Sequence, residues 1–359
     1  MITLLAGIQN LSKTMKRRKF TGMIATGLGT LAIVSPVHAA PTTLKKIKKP
    51  ARLKRGDKVG LITPGSYIGE EGFQEAINNI ESLGLKVELG KHVRAKRGYT
   101  AGTDEERLSD LHTMFSREDI SAIWCARGGY GCSRLLPNID YKLIQKNPKL
   151  LIGYSDITAL LNAIFEQTGL VGIHGPVGAS KQTDYTLKHF QSIVMNPENQ
   201  FTIKLSQANQ EEEDPLFKPF VIRPGRAEGD LVGGNLSLLA AMAGTDYQPK
   251  VKGRLVFIED VGEKPYRVDR MLTQLRQAYA LDEAAGLALG IFAGCEADED
   301  DDSLSLRECL EDRLGGLGIP VMYGFSFGHI SNQCSLPVGV KAIMDTTAQT
   351  ITLMESAVE

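Results

Sequence analysis

The chain has 359 residues, 41 basic against 42 acidic side chains and a formal net charge of −1. It therefore has no electrostatic bias toward nucleic acid or anionic lipid, and at roughly 100–200 residues per domain it holds two domains. With 42% hydrophobic and 23% charged residues, 37 Gly and 15 Pro, the composition is that of a globular protein rich in tight turns, which excludes a disordered, fibrous or disulfide-stapled miniature fold.

At the N-terminus, Lys16-Arg17-Arg18-Lys19 precedes a mildly apolar, glycine-containing stretch over 20–34, and Val37-His38-Ala39 places small residues where a signal peptidase acts. Residues 1–40 read as a cleaved export signal, and Arg17-Arg18-Lys19-Phe20 resembles the twin-arginine type. The apolar run is too short and too rich in glycine for a spanning helix, so no stable membrane span is expected after cleavage. Residues 41–50, with two Lys-Lys pairs, read as a solvated basic tail, and the folded chain is expected to start near Ala51.

From there strands alternate with helices. A strand is predicted over 58–63, a helix over 70–83 from its periodicity, a strand over 86–89, a helix over 104–116 and a buried strand over 120–126 that breaks into a glycine turn. A short strand at 150–153 runs at once into a helix over 157–167. This pattern predicts an α/β fold: an N-terminal domain, 51–206, with a mostly parallel sheet flanked by helices and chemistry at the C-terminal strand ends. Acidic residues 211–214 and Pro215, Pro219 and Pro224 place a linker over 207–224. A mixed α/β domain then fills 225–359: a glycine-rich turn and helix over 229–243, strands over 254–259, 287–293 and 320–326, helices over 266–280 and 303–314, and terminal strands near 341–345 and 350–354. The acidic run 298–302 lacks the spaced ligands and glycine of a calcium loop and reads as solvated. The five cysteines, Cys125, Cys132, Cys295, Cys309 and Cys334, show no CxxC spacing. They read as free core thiols, with pairing of Cys125 and Cys132 left to geometry.

Two segments carry candidate chemistry. In Gly153-Tyr154-Ser155-Asp156, a serine between a buried strand and a helix has its hydroxyl on a tight turn, with the helix's opening N–H groups free to stabilise an oxyanion. The same spacing also suits a plain N-cap. In Arg127-Gly128-Gly129-Tyr130-Gly131, glycines at a strand end let backbone N–H groups approach an anion closely, though the pattern matches neither GxGxxG nor a P-loop. A nucleophilic serine needs a base. His38 lies in the signal, His92, His112 and His189 lack chemical neighbours or fall in helical patterns, and His174 and His329, both at strand ends, remain open as contenders. Glu259 or Asp260, closing an apolar strand, suits the third member.

Taken together, RGGYG at 127–131, IGYSD at 152–156, GIHGP at 172–176, GGNLS at 233–237, FIEDVGE at 257–263 and YGFSFGH at 323–329 resemble the serine LD-carboxypeptidases, the muramoyltetrapeptide carboxypeptidases of murein recycling. The resemblance spans about 58–354. It implies a Ser155–His329–Glu259 triad, with His329 taking precedence over His174, and oxyanion donors at the backbone of Asp156 and at Gly128 or Gly129. It implies no metal and no cofactor, a murein peptide substrate and a homodimer. The expected reaction removes D-alanine from the diaminopimelyl end of a tetrapeptide through an acyl-enzyme. Arg127 is nominated to capture the terminal carboxylate, and Asn235 to donate to the substrate peptide or cap a helix. The export signal puts this work in the periplasm. Two other readings stand beside it: a microcin-C-immunity-type serine peptidase acting on an acyl-sulfamoyl aminoacyl nucleotide, and a non-catalytic periplasmic muropeptide-binding protein.

Overall fold

The computed structural model describes residues 46–298 and 300–359, which lie in a single compact unit; the expected export signal lies outside the described residues. The first sheet is built from β1 (Lys58–Ile62), β2 (Lys86–Leu89), β3 (Ala122–Cys125), β4 (Leu150–Gly153) and β5 (Gly172–His174), all parallel in the order β2-β1-β3-β4-β5. The inner runs β1, β3 and β4 and the short β5 are largely apolar and buried, as strands covered on both faces must be, while the edge strand β2 is half polar and partly exposed. Helices α1 (Glu70–Ser82), α2 (Asp104–Ser116), α3 (Tyr141–Lys146), α4 (Thr158–Thr168) and α5 (Asp184–Val194) connect or follow them. In α1 the periodic residues Phe73, Ala76 and Ile80 are the buried ones. Thr103 and Glu106 close a capping box on α2.

The chain next supplies β6 (Phe201–Lys204), α6 (Gln207–Glu211), β7 (Phe220–Arg223), β8 (Arg226–Asn235), α7 (Leu236–Met242), β9 (Leu255–Glu259), α8 (Pro265–Tyr279), β10 (Gly286–Ile291), α9 (Leu306–Leu314), β11 (Val321–Gly328), β12 (Leu336–Val338), β13 (Lys341–Asp345) and β14 (Thr350–Leu353). The second sheet runs β6-β14-β13-β8-β9-β10-β11-β7, parallel from β8 to β11 and antiparallel toward both edges. The two sheets exchange strands. β12, from the C-terminal half, pairs antiparallel with β5 and closes the first sheet, while β6, from the N-terminal half, pairs with β14 at the edge of the second.

Three expectations differ from what is observed. The stretch 207–224 is not a free linker: it contains α6, and β7 pairs with β11, so the second sheet takes up its apolar Phe220-Val221-Ile222. The glycine-rich segment starting at Gly229 is a ten-residue strand rather than a turn, because its neighbours β9 and β13 supply hydrogen-bonding partners on both sides. Order also begins before Ala51. Lys48 N–H donates to Gly169 O at 2.8 Å, Val171 N–H donates to Lys48 O at 3.0 Å, and Glu359 N–H donates to Pro50 O at 3.0 Å, which ties both ends of the body together. All five cysteines are buried and free.

What positions the site is the seating of α4 on β8. Asn162 Nδ2 donates to Gly233 O at 2.8 Å, Gly233 N–H donates to Asn162 Oδ1 at 3.3 Å, and Asn235 N–H donates to Thr158 Oγ1 at 3.0 Å. All these groups are buried, so each hydrogen bond also spares an unsatisfied polar atom. Gly233 has a φ of +135°, and a Cβ there would collide with the carbonyl oxygen of Phe257 in the paired strand β9. Backbone strain and overpacking each carry about 1–3 kcal/mol. Gly233→Ala is therefore expected to lower stability by about 2–5 kcal/mol in urea unfolding; a loss below about 0.5 kcal/mol, the range of an ordinary surface change, contradicts this account.

Candidate active site

Strand β4 ends at Gly153, and the chain turns through a single 3₁₀ turn, Ser155–Ile157, into α4. Ser155 sits at φ +63°, a left-handed conformation that a non-glycine residue rarely adopts and that turns its side chain out of the strand-to-helix path. His329 directly follows β11, and Glu259 is the last residue of β9. The strand ends bring all three together. Ser155 Oγ lies 3.0 Å from His329 Nε2, and His329 Nδ1 lies 2.8 Å from Glu259 Oε2. With the Nδ1 proton donated to the carboxylate, Nε2 is left as an acceptor for the serine hydroxyl, the arrangement in which imidazole withdraws a proton from an attacking oxygen.

The glycine turn 127–131 is held in place beside this elbow by backbone and side-chain hydrogen bonds. Ser66 N–H donates to Gly128 O at 3.0 Å, and Tyr130 N–H donates to Ser66 Oγ at 3.0 Å. The buried Arg107 donates from Nη1 to both Pro64 O and Gly131 O, and Cys132 N–H donates to Asp156 Oδ2 at 2.9 Å. Gly128 is packed so closely that a Cβ would stand 3.0 Å from Ser155 Cβ and 3.2 Å from Asp156 N.

Residues 59–175 match the LD-carboxypeptidase N-terminal domain family, and residues 228–344 match its C-terminal domain family. The chain belongs to the LD-carboxypeptidase family. It is 42% identical over 302 residues to a probable murein peptide carboxypeptidase of Bacillus subtilis, covering 84% of this chain and 93% of that one. A crystal structure of a muramoyltetrapeptide carboxypeptidase from Oxalobacter formigenes is similar with a TM-score of 0.71 at 32% identity, covering 82% and 97% of the two chains. The microcin C7 self-immunity protein of Escherichia coli, in its wild-type apo structure, is similar with a TM-score of 0.77 at 28% identity, covering 87% of this chain and all of that one.

Electrostatics separates the two adjacent acids of this LD-carboxypeptidase. Glu259 is fully buried and engages His329. Asp260 points the other way: its Oδ1 accepts from Asn235 Nδ2 and Val261 N–H, and its Oδ2 accepts from the backbone and hydroxyl of Ser237 at the start of α7. Burial, reinforced by the charge of Glu259, still raises Asp260 to about 6. For His329, burial pulls the pKa down, but the hydrogen bond and charge of Glu259, with the charge of Asp260, outweigh it, and the pKa lies above the usual histidine value.

The remaining expected residues fall as follows. Arg127 is exposed on the rim of the turn, donating one N–H to Tyr67 O at 3.0 Å. Gly129 is exposed, with Ser66 packed against its α-carbon. Asn235 is buried and caps α7, its side-chain oxygen accepting from Leu238 N–H while its amide holds Asp260. His112 accepts from Asp140 N–H, and His189 is buried in α5 with Nδ1 on Tyr185 O. His174 is buried at the end of β5 and stands outside the hydrogen-bonded chain. Sequence reasoning missed Arg107, Ser66 and the Asp156 carboxylate. Arg107 and Ser66 carry no local signature, but an aspartate directly after the elbow serine, inside an apolar segment, is a buried acid in need of donors.

His329 accepts a proton only when neutral, so kcat/KM must fall as the pH drops through its raised pKa. In Glu259→Gln the raising charge is gone while burial remains. The acidic limb of the kcat/KM profile is expected to move to lower pH, with kcat reduced on the order of 10³–10⁴-fold. An unmoved limb would contradict the pairing.

Proposed function

We propose that this protein is an exported LD-carboxypeptidase that removes the terminal D-alanine of murein tetrapeptides through an acyl-enzyme on Ser155. The observation that carries the reading is the hydrogen-bonded chain from Ser155 Oγ through His329 to the buried carboxylate of Glu259. Ser155 attacks the carbonyl that links the diaminopimelyl residue to D-alanine as His329 Nε2 takes its proton. Glu259 keeps the proton on Nδ1 and stabilises the imidazolium. The N–H of Asp156 and an N–H of the turn at Gly128 or Gly129 stabilise the tetrahedral oxyanion. His329 then returns its proton to the departing amine, and water releases the acyl group.

Other features support the substrate assignment. The exposed guanidinium of Arg127, on the turn beside the nucleophile, offers paired donors to the free carboxylate that marks a C-terminal residue. Of the two roles expected of Asn235, substrate donor or helix cap, its hydrogen bonds to Leu238 N–H and Asp260 support the cap. The Arg17-Arg18 signal supports action on wall fragments or intact murein in the periplasm. The fold's TM-score of 0.77 to the microcin C7 self-immunity protein favours one second reading, hydrolysis of an aminoacyl sulfamoyl nucleotide on the same serine.

Incubating the protein with disaccharide tetrapeptide and following the products by mass spectrometry tests both readings. Wild type is expected to release one alanine per substrate and Ser155→Ala none. Gly128→Ala, whose added methyl group would sit 3.2 Å from both Ser155 Oγ and Asp156 N, is expected to fold and to lose roughly 100-fold or more in kcat. No release from folded wild type, with hydrolysis of an aspartyl sulfamoyl nucleotide, would replace the first reading by the second.

A further inference from the structure

His174 is the titratable side chain beside the site that the proton relay leaves without a task. It is fully buried, and neither ring nitrogen has a hydrogen-bond partner; nor does Glu259 Oε1, the oxygen turned away from His329. A buried polar atom left unpaired costs about 1–3 kcal/mol, and an apolar residue at 174 would pack without that cost. The location sharpens the point. His174 is paired with Gly153 at the end of β4, so it comes from the same sheet edge as Ser155. Its ring centroid lies 5.1 Å from that of Phe257 and 6.4 Å from that of Phe327. Phe257 stands two positions before Glu259 on β9, hence on the same strand face, and Phe327 stands two positions before His329 near the end of β11. The ring is also 6.0 Å from Tyr154, which precedes Ser155 and packs 4.8 Å from the His329 ring. A single imidazole is thus inserted among the neighbours of all three members of the chain.

Its ionisation suits a donor. Burial drives the pKa of His174 down to about 4 against the opposing charge of Glu259, and His329 pushes the same way as burial. At neutral pH the ring is uncharged and presents one N–H and one lone pair. The hydroxyl of Ser335, which precedes the residue that pairs with His174 across β5 and β12, is likewise buried and unpaired.

We propose that His174 is a positioning residue for Glu259: its N–H serves Oε1 through one buried water and thereby holds Oε2 on His329. This inference rests on the reading of Ser155, His329 and Glu259 as the catalytic triad. A carboxylate fixed through one oxygen alone swings about its terminal bond, and the imidazole it orients swings with it. Misplacement of a reacting group by about 1 Å costs up to about 100-fold in rate.

The test compares His174→Phe, which keeps the ring and removes both nitrogens, with His174→Gln, which keeps a donor. Three quantities are read: thermal unfolding, kcat and KM on the tetrapeptide, and the far-downfield proton resonance of the His329–Glu259 hydrogen bond. His174→Phe is expected to fold, to keep the wild-type KM, to lose up to about 100-fold in kcat and to lose or broaden the resonance. His174→Gln is expected to regain both. Wild-type kcat and an intact resonance in His174→Phe would overturn the proposal, as would equal losses in the two variants. If His174→Phe does not accumulate as folded protein, His174→Gln decides: a retained resonance and kcat support the proposal and their loss overturns it. The resonance needs no substrate. Absence of turnover in wild type would therefore defeat the proposed function while leaving the role of His174 separately readable.

Discussion

The seating of the nucleophile's helix on a glycine-rich strand is the constraint from which the rest of the site follows. Ser155, His329 and Glu259 stand at the ends of strands in two different sheets, and a useful proton relay tolerates errors of only about 0.5 Å in their separation. Asn162 grips the backbone of Gly233 through both its amide atoms, and Thr158 accepts from the N–H of Asn235 two residues on. Side chains at Gly233 or Gly234 would hold α4 away from β8: the first meets the Phe257 carbonyl, and the second would come within 2.7 Å of two Thr158 side-chain atoms. The exchange of β6 and β12 between the sheets reinforces the same alignment from the edges, by making each sheet incomplete without the other half of the chain.

Within that frame, two adjacent carboxylates are buried, an arrangement that opposes folding unless each is separately served. Strand geometry separates them, because successive side chains leave β9 in opposite directions. Asp260 is drawn to the start of α7 and takes donors from Asn235, Ser237 and Val261. Glu259 takes one from His329. Asp260 is raised first by its burial and then by the charge of Glu259, while at His329 the hydrogen bond and charge of Glu259 overcome burial, so the same buried anion penalises a second anion and stabilises a cation.

Much of this was legible in the residues. Apolar runs broken by glycine turns place β1, β3, β4 and β9 to within two residues, and the strand-to-helix setting of Ser155 is visible in IGYSD because a buried run stops abruptly at Gly153. The strand ends that hold His174, Glu259 and His329 were also readable, but which histidine faces the serine was not. That choice depends on the register between two sheets, which no local pattern encodes; only the family resemblance favoured His329, and the structure places it 3.0 Å from Ser155 Oγ. Segments stabilised by pairing alone were misread. β8 looks like a turn because five of its ten residues are glycine, alanine or asparagine, and β6, β7 and β12, at three or four residues each, owe their conformation to partners distant in sequence. The buried Arg107 that clamps the glycine turn gave no sign of its role, being one arginine in an otherwise ordinary helix.

The central claim is that two sheets converge to make Ser155 a nucleophile, and trapping the covalent intermediate tests it most directly. Rapid acid quenching of the protein during turnover of a tetrapeptide, followed by proteolysis and mass spectrometry, is expected to find the substrate's acyl portion, lacking D-alanine, on the peptide that contains Ser155. Turnover with that peptide unmodified, or with the acyl group on another residue, would contradict the account.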